Sequence, residues 1–361
     1  MLEGEAQSRY TGARIDAIRT IGEVAQREGC AFVVVAGDVF ESNQVSSQTV
    51  RRSLEAMQTI PCPVYLLPGN HDPLDAATIF RNPVFLDACP ENVHVLAEPG
   101  VVPVAKGVEI VAAPWFSKRP LSDLVAEAVH GLEADGVLRI VVGHGVVDTL
   151  SPDADNLASI RLAGVEAALA AGVIHYVALG DRHSRLSVGT SGRVHYSGSP
   201  EVTSFREELP GDVLVVDLDG SAVPVLAAHH VGTWHFVGLE RDIDTAEDLD
   251  DLDVELTAMD PKDRTVVRTA LRGTLSLTGK ARLDALLDRH GDVLGGLFTW
   301  ERHDDIAVVV DGDELSDLGV GGFVGAAVEE LSARAAGEGE SAQSARDALS
   351  LLYRLASGGA R

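Results

Sequence analysis

Four short apolar runs in this chain end alike: VVVAGD at 33–38, YLLPGNHD at 65–72, IVVGH at 140–144 and VALGDRH at 177–183. Each sets a glycine after the apolar segment and a side chain able to bind metal directly after the glycine. A single GD or GH marks an ordinary turn, but four in series, with the rarer GNHD among them, point jointly to a site. In an open α/β sheet, ligands bind beyond the carboxyl ends of the strands. Glycine there lets the backbone turn sharply and approach a ligand closely. The endings are therefore expected to bring Asp38, Asn70, His144, Asp181 and His183 to one rim. Carboxylate, amide oxygen and imidazole together suit Mn²⁺, Fe²⁺ or Zn²⁺ in a two-metal centre, whereas a structural zinc site draws on cysteines. Two such ions can bridge a phosphate and activate a water, so the expected reaction class is phosphoester hydrolysis.

The elements that must carry these residues alternate. Ile15, Ile18, Ile21 and Val24 recur at near-helical spacing in residues 14–28, with Gly29 placed to end the helix. AFVVVAGD follows as a β-branched run of the kind buried on both faces. Helical stretches at 46–58, 121–133 and 157–171 then separate strands at 64–67, 108–114, 138–145 and 175–180. Helices alternating with wholly apolar strands predict an α/β layered domain with largely parallel strands. From about 190 the strands are flanked by turns, which suits hairpins closing a sheet. The character changes near 231. We divide the chain into 1–230, 231–315 as a small α+β domain, and a tail, 316–361. The tail carries two helical patterns, one with Phe323, Ala327 and Leu331, the other with Leu349, Leu352, Tyr353 and Ala356.

Composition narrows the function class. With 361 residues, 45% of them hydrophobic, the chain has the length of two globular domains. A net charge of −26 repels nucleic acid and anionic membranes at long range, so a phosphate-bearing substrate must be held locally, by metal ions or a basic patch. The N-terminus lacks the basic start and apolar core of a signal peptide, and the apolar runs are too short for a membrane helix. Three cysteines without a CxxC spacing fit a reducing compartment. The expectation is a cytoplasmic protein.

GD, GNHD, GH and a final G-x-x-H in this order resemble the calcineurin-like metallophosphoesterases. GDVFES, LPGNHDP, ALGDRHSR and YSGSPEVTSF look like the SbcD type, the bacterial DNA double-strand-break nucleases. The resemblance is clear over residues 1–235, faint over 236–315, where that family has a DNA-capping domain, and positional beyond. It implies an α/β/β/α sandwich with a cap domain and C-terminal helices, two divalent ions, DNA as substrate, a coiled-coil ATPase as partner and a homodimer. It further implies that Asp38 bridges both metals, that Asn70 and His144 hold the second, and that His183 serves the first. His71 becomes a catalytic histidine that protonates the leaving oxygen or stabilises charge on the phosphate, with Asp72 orienting its ring.

Two departures stand out. The family opens with a strand ending in D-x-H, and this chain begins in the segment that follows it; we expect that strand to precede Met1, and residues 1–361 alone to cleave weakly or not at all. Asp181 stands where the family usually has histidine; a carboxylate there favours a harder metal such as Mn²⁺. Two other functions stay open: a phosphoesterase acting on small phosphoesters, and a non-catalytic subunit of a repair complex with a degraded metal centre. Trp115–Phe116 with Lys118 and Arg119 make either a stacking and phosphate-binding loop or a packed loop. Arg264, Arg268 and Arg272 share parity, to meet a DNA backbone or the nearby acidic run at 240–260. His195 reads as a structural histidine.

Overall fold

The apolar runs at 33–35 and 64–66 become the parallel strands β1 (Val33–Val35) and β2 (Val64–Leu66). The structure is a computed structural model, and it describes residues 2–153, 155–218, 223–309, 322–335 (without the side chains of 322–324), 337, 339, 341–342, 344–349 and 352. The chain forms two compact units, Arg9–Trp234 on one hand and Met1–Ser8 with His235–Arg361 on the other.

In the first unit, β3 (Val93–Val95) joins β2 to complete a parallel sheet in the order β1-β2-β3. Alternation along β2 shows how its layers stack, because successive side chains point to opposite faces. Val64 and Leu66 pack against α1 (Gly4–Glu28), α2 (Ser47–Gln58) and α3 (Pro83–Ala88). Tyr65 and Leu67 face the other way, onto Ile110, Ala112 and Val142. Those three belong to a second sheet of β4 (Gly100–Ala105), β5 (Val108–Ala112), β6 (Leu138–His144), β7 (Tyr176–Gly180), β8 (Leu186–Val188) and β9 (Val194–Tyr196). Its order is β4-β5-β6-β7-β9-β8, parallel from β5 through β9 and antiparallel at both margins. Its far face carries Val111, Val141 and Val177 onto α4 (Leu124–Val129) and α5 (Leu162–Ala170). The result is the α/β/β/α sandwich that the resemblance implies.

Several boundaries differ from expectation. α1 starts ten residues before the apolar periodicity, through a mostly polar, exposed stretch in which Ala6, Tyr10 and Ala13 are half-buried. α4 is short, capped by Asp123 and closed before Gly131 at φ +79°. Residues 157–160 stay outside α5 because Ile160 bridges to Val147. β1 is half-buried along its length rather than sealed on both faces, since it ends its sheet. The paired strands β10 (Asp212–Asp217) and β11 (Val225–His230) form a sheet of their own rather than closing the large one.

The second unit alternates β12 (His235–Asp242), α6 (Ala246–Ala258), β13 (Thr265–Ser276), α7 (Leu277–Gly291), β14 (Gly296–Thr299) and β15 (Asp305–Val309), with the strands paired in parallel. Val267, Leu271 and Leu275 meet Leu249, Leu252 and Leu256 of α6 and Leu283 and Leu286 of α7. The acidic run forms the outer face of α6, whose carboxylates bind Arg241, Arg282 and Arg289. Val328 and Leu331 of α8 (Gly322–Ala335) pack with Leu349 and Leu352 onto Leu277 and Val308. The Phe323 side chain, Tyr353 and Ala356 lie outside the described residues.

Candidate metal centre

The strand endings converge on His144, at the tip of β6. Its ring is buried, and Nδ1 donates to the Ala36 carbonyl at 2.8 Å. Nε2 lies 2.6 Å from Asn70 Oδ1, 3.3 Å from Asp38 Oδ2 and 3.9 Å from Asp181 Oδ1. Segments from β1, β2, β6 and β7 can meet this closely only where side chains are missing. A Cβ on Gly37, at φ +93°, would stand 2.1 Å from His144 Nδ1, and one on Gly180 would stand 1.7 Å from the Ala36 oxygen. Among the described residues, Asp38 and Asp181 are the non-glycine ones at positive φ, +52° and +93°. Such strain costs about 1–3 kcal/mol per residue and persists where the surroundings over-determine it. Here Leu66, Leu67 and Ile110, each fully buried and worth about 1.5–3 kcal/mol, outweigh it.

Charge is focused at the same point. Burial opposes a positive ring on His144, yet the hydrogen bond and charge of Asp38 prevail and raise its pKa above the ordinary histidine value. Burial likewise pushes the Asp38 carboxyl up, and the His144 contact and the His71 amide, 2.9 Å away, outweigh it and hold the carboxyl low. With Nδ1 donating to a carbonyl, the Nε2 of a neutral His144 is a bare lone pair facing three oxygens. That arrangement calls for a positive charge at its centre, a proton or a metal ion.

His71 is half-exposed; its Nδ1 donates to the Glu41 carbonyl at 3.0 Å, with the Glu41 carboxylate 3.7 Å away. Asp72 does not orient this ring. It is fully buried, and its oxygens accept the backbone N–H groups of Gly69 (2.8 Å) and Phe40 (2.9 Å), which ties the GNHD turn to the loop after β1. Burial raises its pKa to about 6. His183 stands beside the cluster, its Nδ1 2.6 Å from Thr203 Oγ1 and 3.0 Å from Glu207 Oε1. The Glu207 hydrogen bond raises its pKa, and Asp181 and Asp38 are close enough to add to the effect. All three imidazoles are thus pinned through Nδ1, leaving Nε2 for chemistry.

The loop after His144 is held by Tyr196, whose fully buried hydroxyl donates to the Gly145 carbonyl and accepts from the Val147 amide. Trp115 is buried; its indole N–H donates to the His144 carbonyl at 2.8 Å, and its own backbone binds Pro68 and Leu74. It is therefore a brace for the rim, while Phe116, Lys118 and Arg119 remain exposed. His195 is buried and stacks on Tyr176 at 5.6 Å, away from the cluster. Arg264 precedes β13, Arg268 covers the Trp300 ring and Arg272 approaches Glu240 at 3.7 Å.

The chemistry of the donor set fits a divalent ion. Donors about 2.1 Å from a common ion stand about 3 Å apart when adjacent, and the separations around His144 Nε2 are of that size. Among the described residues, no group of three or more histidine, cysteine, aspartate or glutamate side chains is by itself arranged to hold a metal; the nearest donor to His144 is the Asn70 amide.

A family model, the calcineurin-like phosphoesterases, matches residues 10–216, more than half the chain. The chain belongs to the calcineurin-like phosphoesterase family. The matched span covers the α/β/β/α sandwich and each residue of the cluster. No curated protein matches the chain. Domains of this family usually bind divalent metal ions, which agrees with the donors gathered around His144. Three residues that sequence reasoning passed over also shape this phosphoesterase site: Glu41, Thr203 and Glu207. Glu41 and Thr203 lie inside GDVFES and YSGSPEVTSF without standing out there as site residues, and Glu207 follows four positions after Thr203 in TSFRE.

Proposed function

We propose that this phosphoesterase is a metal-dependent phosphodiesterase of the SbcD type that cleaves DNA in repair, with a coiled-coil ATPase as partner. The observation that carries the hydrolytic part is the meeting of Asp38, Asn70 and Asp181 around one His144 nitrogen, with the half-exposed His71 next in chain to Asn70. The DNA part rests on the motifs LPGNHDP, ALGDRHSR and YSGSPEVTSF.

Asp38, Asn70, His144, Asp181 and His183 would hold the divalent ions, Mn²⁺ by preference because oxygen donors dominate the set. Ions bound there supply Lewis acidity toward a phosphate and its attacking water. The chain's own part is proton handling and placement. With its Nδ1–H on the Glu41 carbonyl, His71 takes and gives its second proton at Nε2. Delivery from Nε2 to a leaving oxygen returns a neutral ring that is still held on the Glu41 carbonyl. Asp72 keeps the turn that presents this ring in place.

The decisive experiment is Mn²⁺-dependent release of nucleotides from duplex DNA ends, with and without the ATPase. His71→Ala is expected to lower turnover by about 10²–10⁴-fold while Mn²⁺ uptake stays unchanged. A second reading, hydrolysis of small phosphoesters, is favoured by the net charge of −26. Turnover of bis(p-nitrophenyl) phosphate without DNA cleavage, even with the ATPase present, would select it.

A further inference from the structure

We propose that Glu207, acting with Thr203, is the positioning residue for His183: together they hold the ring as its Nδ1–H tautomer and keep Nε2 available to a divalent ion. This rests on the metal-dependent reading above. The proton inventory leads to it. Glu207 Oε2 accepts the Thr203 backbone N–H at 2.9 Å, and Oε1 accepts the Thr203 hydroxyl. That hydroxyl has one hydrogen, and Glu207 receives it, so the oxygen it turns toward His183 is an acceptor. Nδ1 of His183 therefore faces two acceptors, at 2.6 and 3.0 Å, and must carry a hydrogen. In the neutral ring Nε2 is then bare.

Burial supports a built arrangement. The Glu207 side chain is 6% exposed, against 51% for His183, so the carboxylate is fixed in protein and the imidazole is the part left accessible. Its setting is laced to the His183 segment. Ser199 N–H donates to the His183 carbonyl, Arg185 N–H to the Leu209 carbonyl and Glu208 N–H to the Ser184 hydroxyl. His144 and His71 use backbone carbonyls for the same purpose; a carboxylate partner orients the ring and also increases its basicity as a ligand. Glu208 is exposed and supplies an internal control.

The test uses the full chain, free of metal and then titrated with Mn²⁺ alone. Side-chain ¹⁵N NMR reads the His183 tautomer, and calorimetry reads Mn²⁺ affinity. Wild type is expected to show Nδ1–H. In Glu207→Ala the preference is lost and Mn²⁺ affinity falls about 10–100-fold. Glu207→Gln, which keeps an acceptor, restores the tautomer and part of the affinity, and Glu208→Ala matches wild type. Thr203→Val and Glu207→Gln serve as readouts should Glu207→Ala fail to fold. An unchanged tautomer in Glu207→Ala overturns the proposal, as does a changed tautomer with unchanged affinity in a chain that binds Mn²⁺. If wild type takes up no Mn²⁺, the metal-dependent reading fails; the tautomer then decides alone, its loss supporting the role of Glu207 and its persistence overturning it.

Discussion

Asp181 holds its backbone at φ +93°, a conformation suited to glycine, and does so at the point where its carboxylate meets His144. Position and strain together mark a residue kept for its side chain. Asp181→Gly is expected to leave the phosphoesterase at least as stable, with a gain of up to about 1 kcal/mol, while Mn²⁺ affinity drops. Thermal melts and calorimetry on the same samples separate the two effects, and a lower melting temperature would count against the strain argument. His195 offers a cleaner titration. Burial holds its pKa below the ordinary value of 6.5, and its Nδ1 has no hydrogen-bond partner. The unfolded chain then binds more protons than the folded one between the folded pKa and 6.5, so this contribution is complete above 6.5 and is lost as pH falls through that window. Replacement of His195 by Phe is expected to flatten that part of the stability–pH curve, with denaturant titrations at stepped pH as the measure. Residue identity at the rim was legible in the sequence because glycine followed by a ligand is a local signal. The partners of Asp72 were not, since Phe40 lies 32 positions away and contributes only its backbone.

At the scale of elements, the site exists because β1, β6 and β7 end within van der Waals reach of one another. Gly180→Ala would set a methyl 1.7 Å from the Ala36 oxygen. The ends of β7 and β1 must then separate, at a cost of about 1–3 kcal/mol, and His144 loses the carbonyl that pins its ring; a lower denaturation midpoint with diminished Mn²⁺ uptake is the expected result. In the second unit, Thr245 caps α6 through a reciprocal box with Asp248. Thr245→Ala is expected to remove about 1 kcal/mol, seen in denaturant unfolding, without effect on phosphoesterase turnover. Strands and long helices were legible wherever one face is apolar. The first ten residues of α1 and the short span of α4 were not, because two alanines and a tyrosine give a weak apolar signal and a cap ends a helix without one.

Over the whole molecule, charge sets the terms on which a substrate arrives. At −26, the chain repels a polyanion until salt screens the field. Association with duplex DNA is expected to quicken as ionic strength rises from about 10 to 150 mM, the reverse of the behaviour of basic nucleases, and bis(p-nitrophenyl) phosphate turnover is expected to stay nearly flat. Stopped-flow rates across a salt series give the answer.

The buried Glu201 gathers the Thr233 amide, its hydroxyl and the Trp234 amide, while Val202 next to it receives the Tyr10 hydroxyl and Tyr10 in turn abuts the Trp234 ring. One residue further along is Thr203. The knot that anchors the backbone just before residue 235 is therefore also the mooring of the loop that steadies His183.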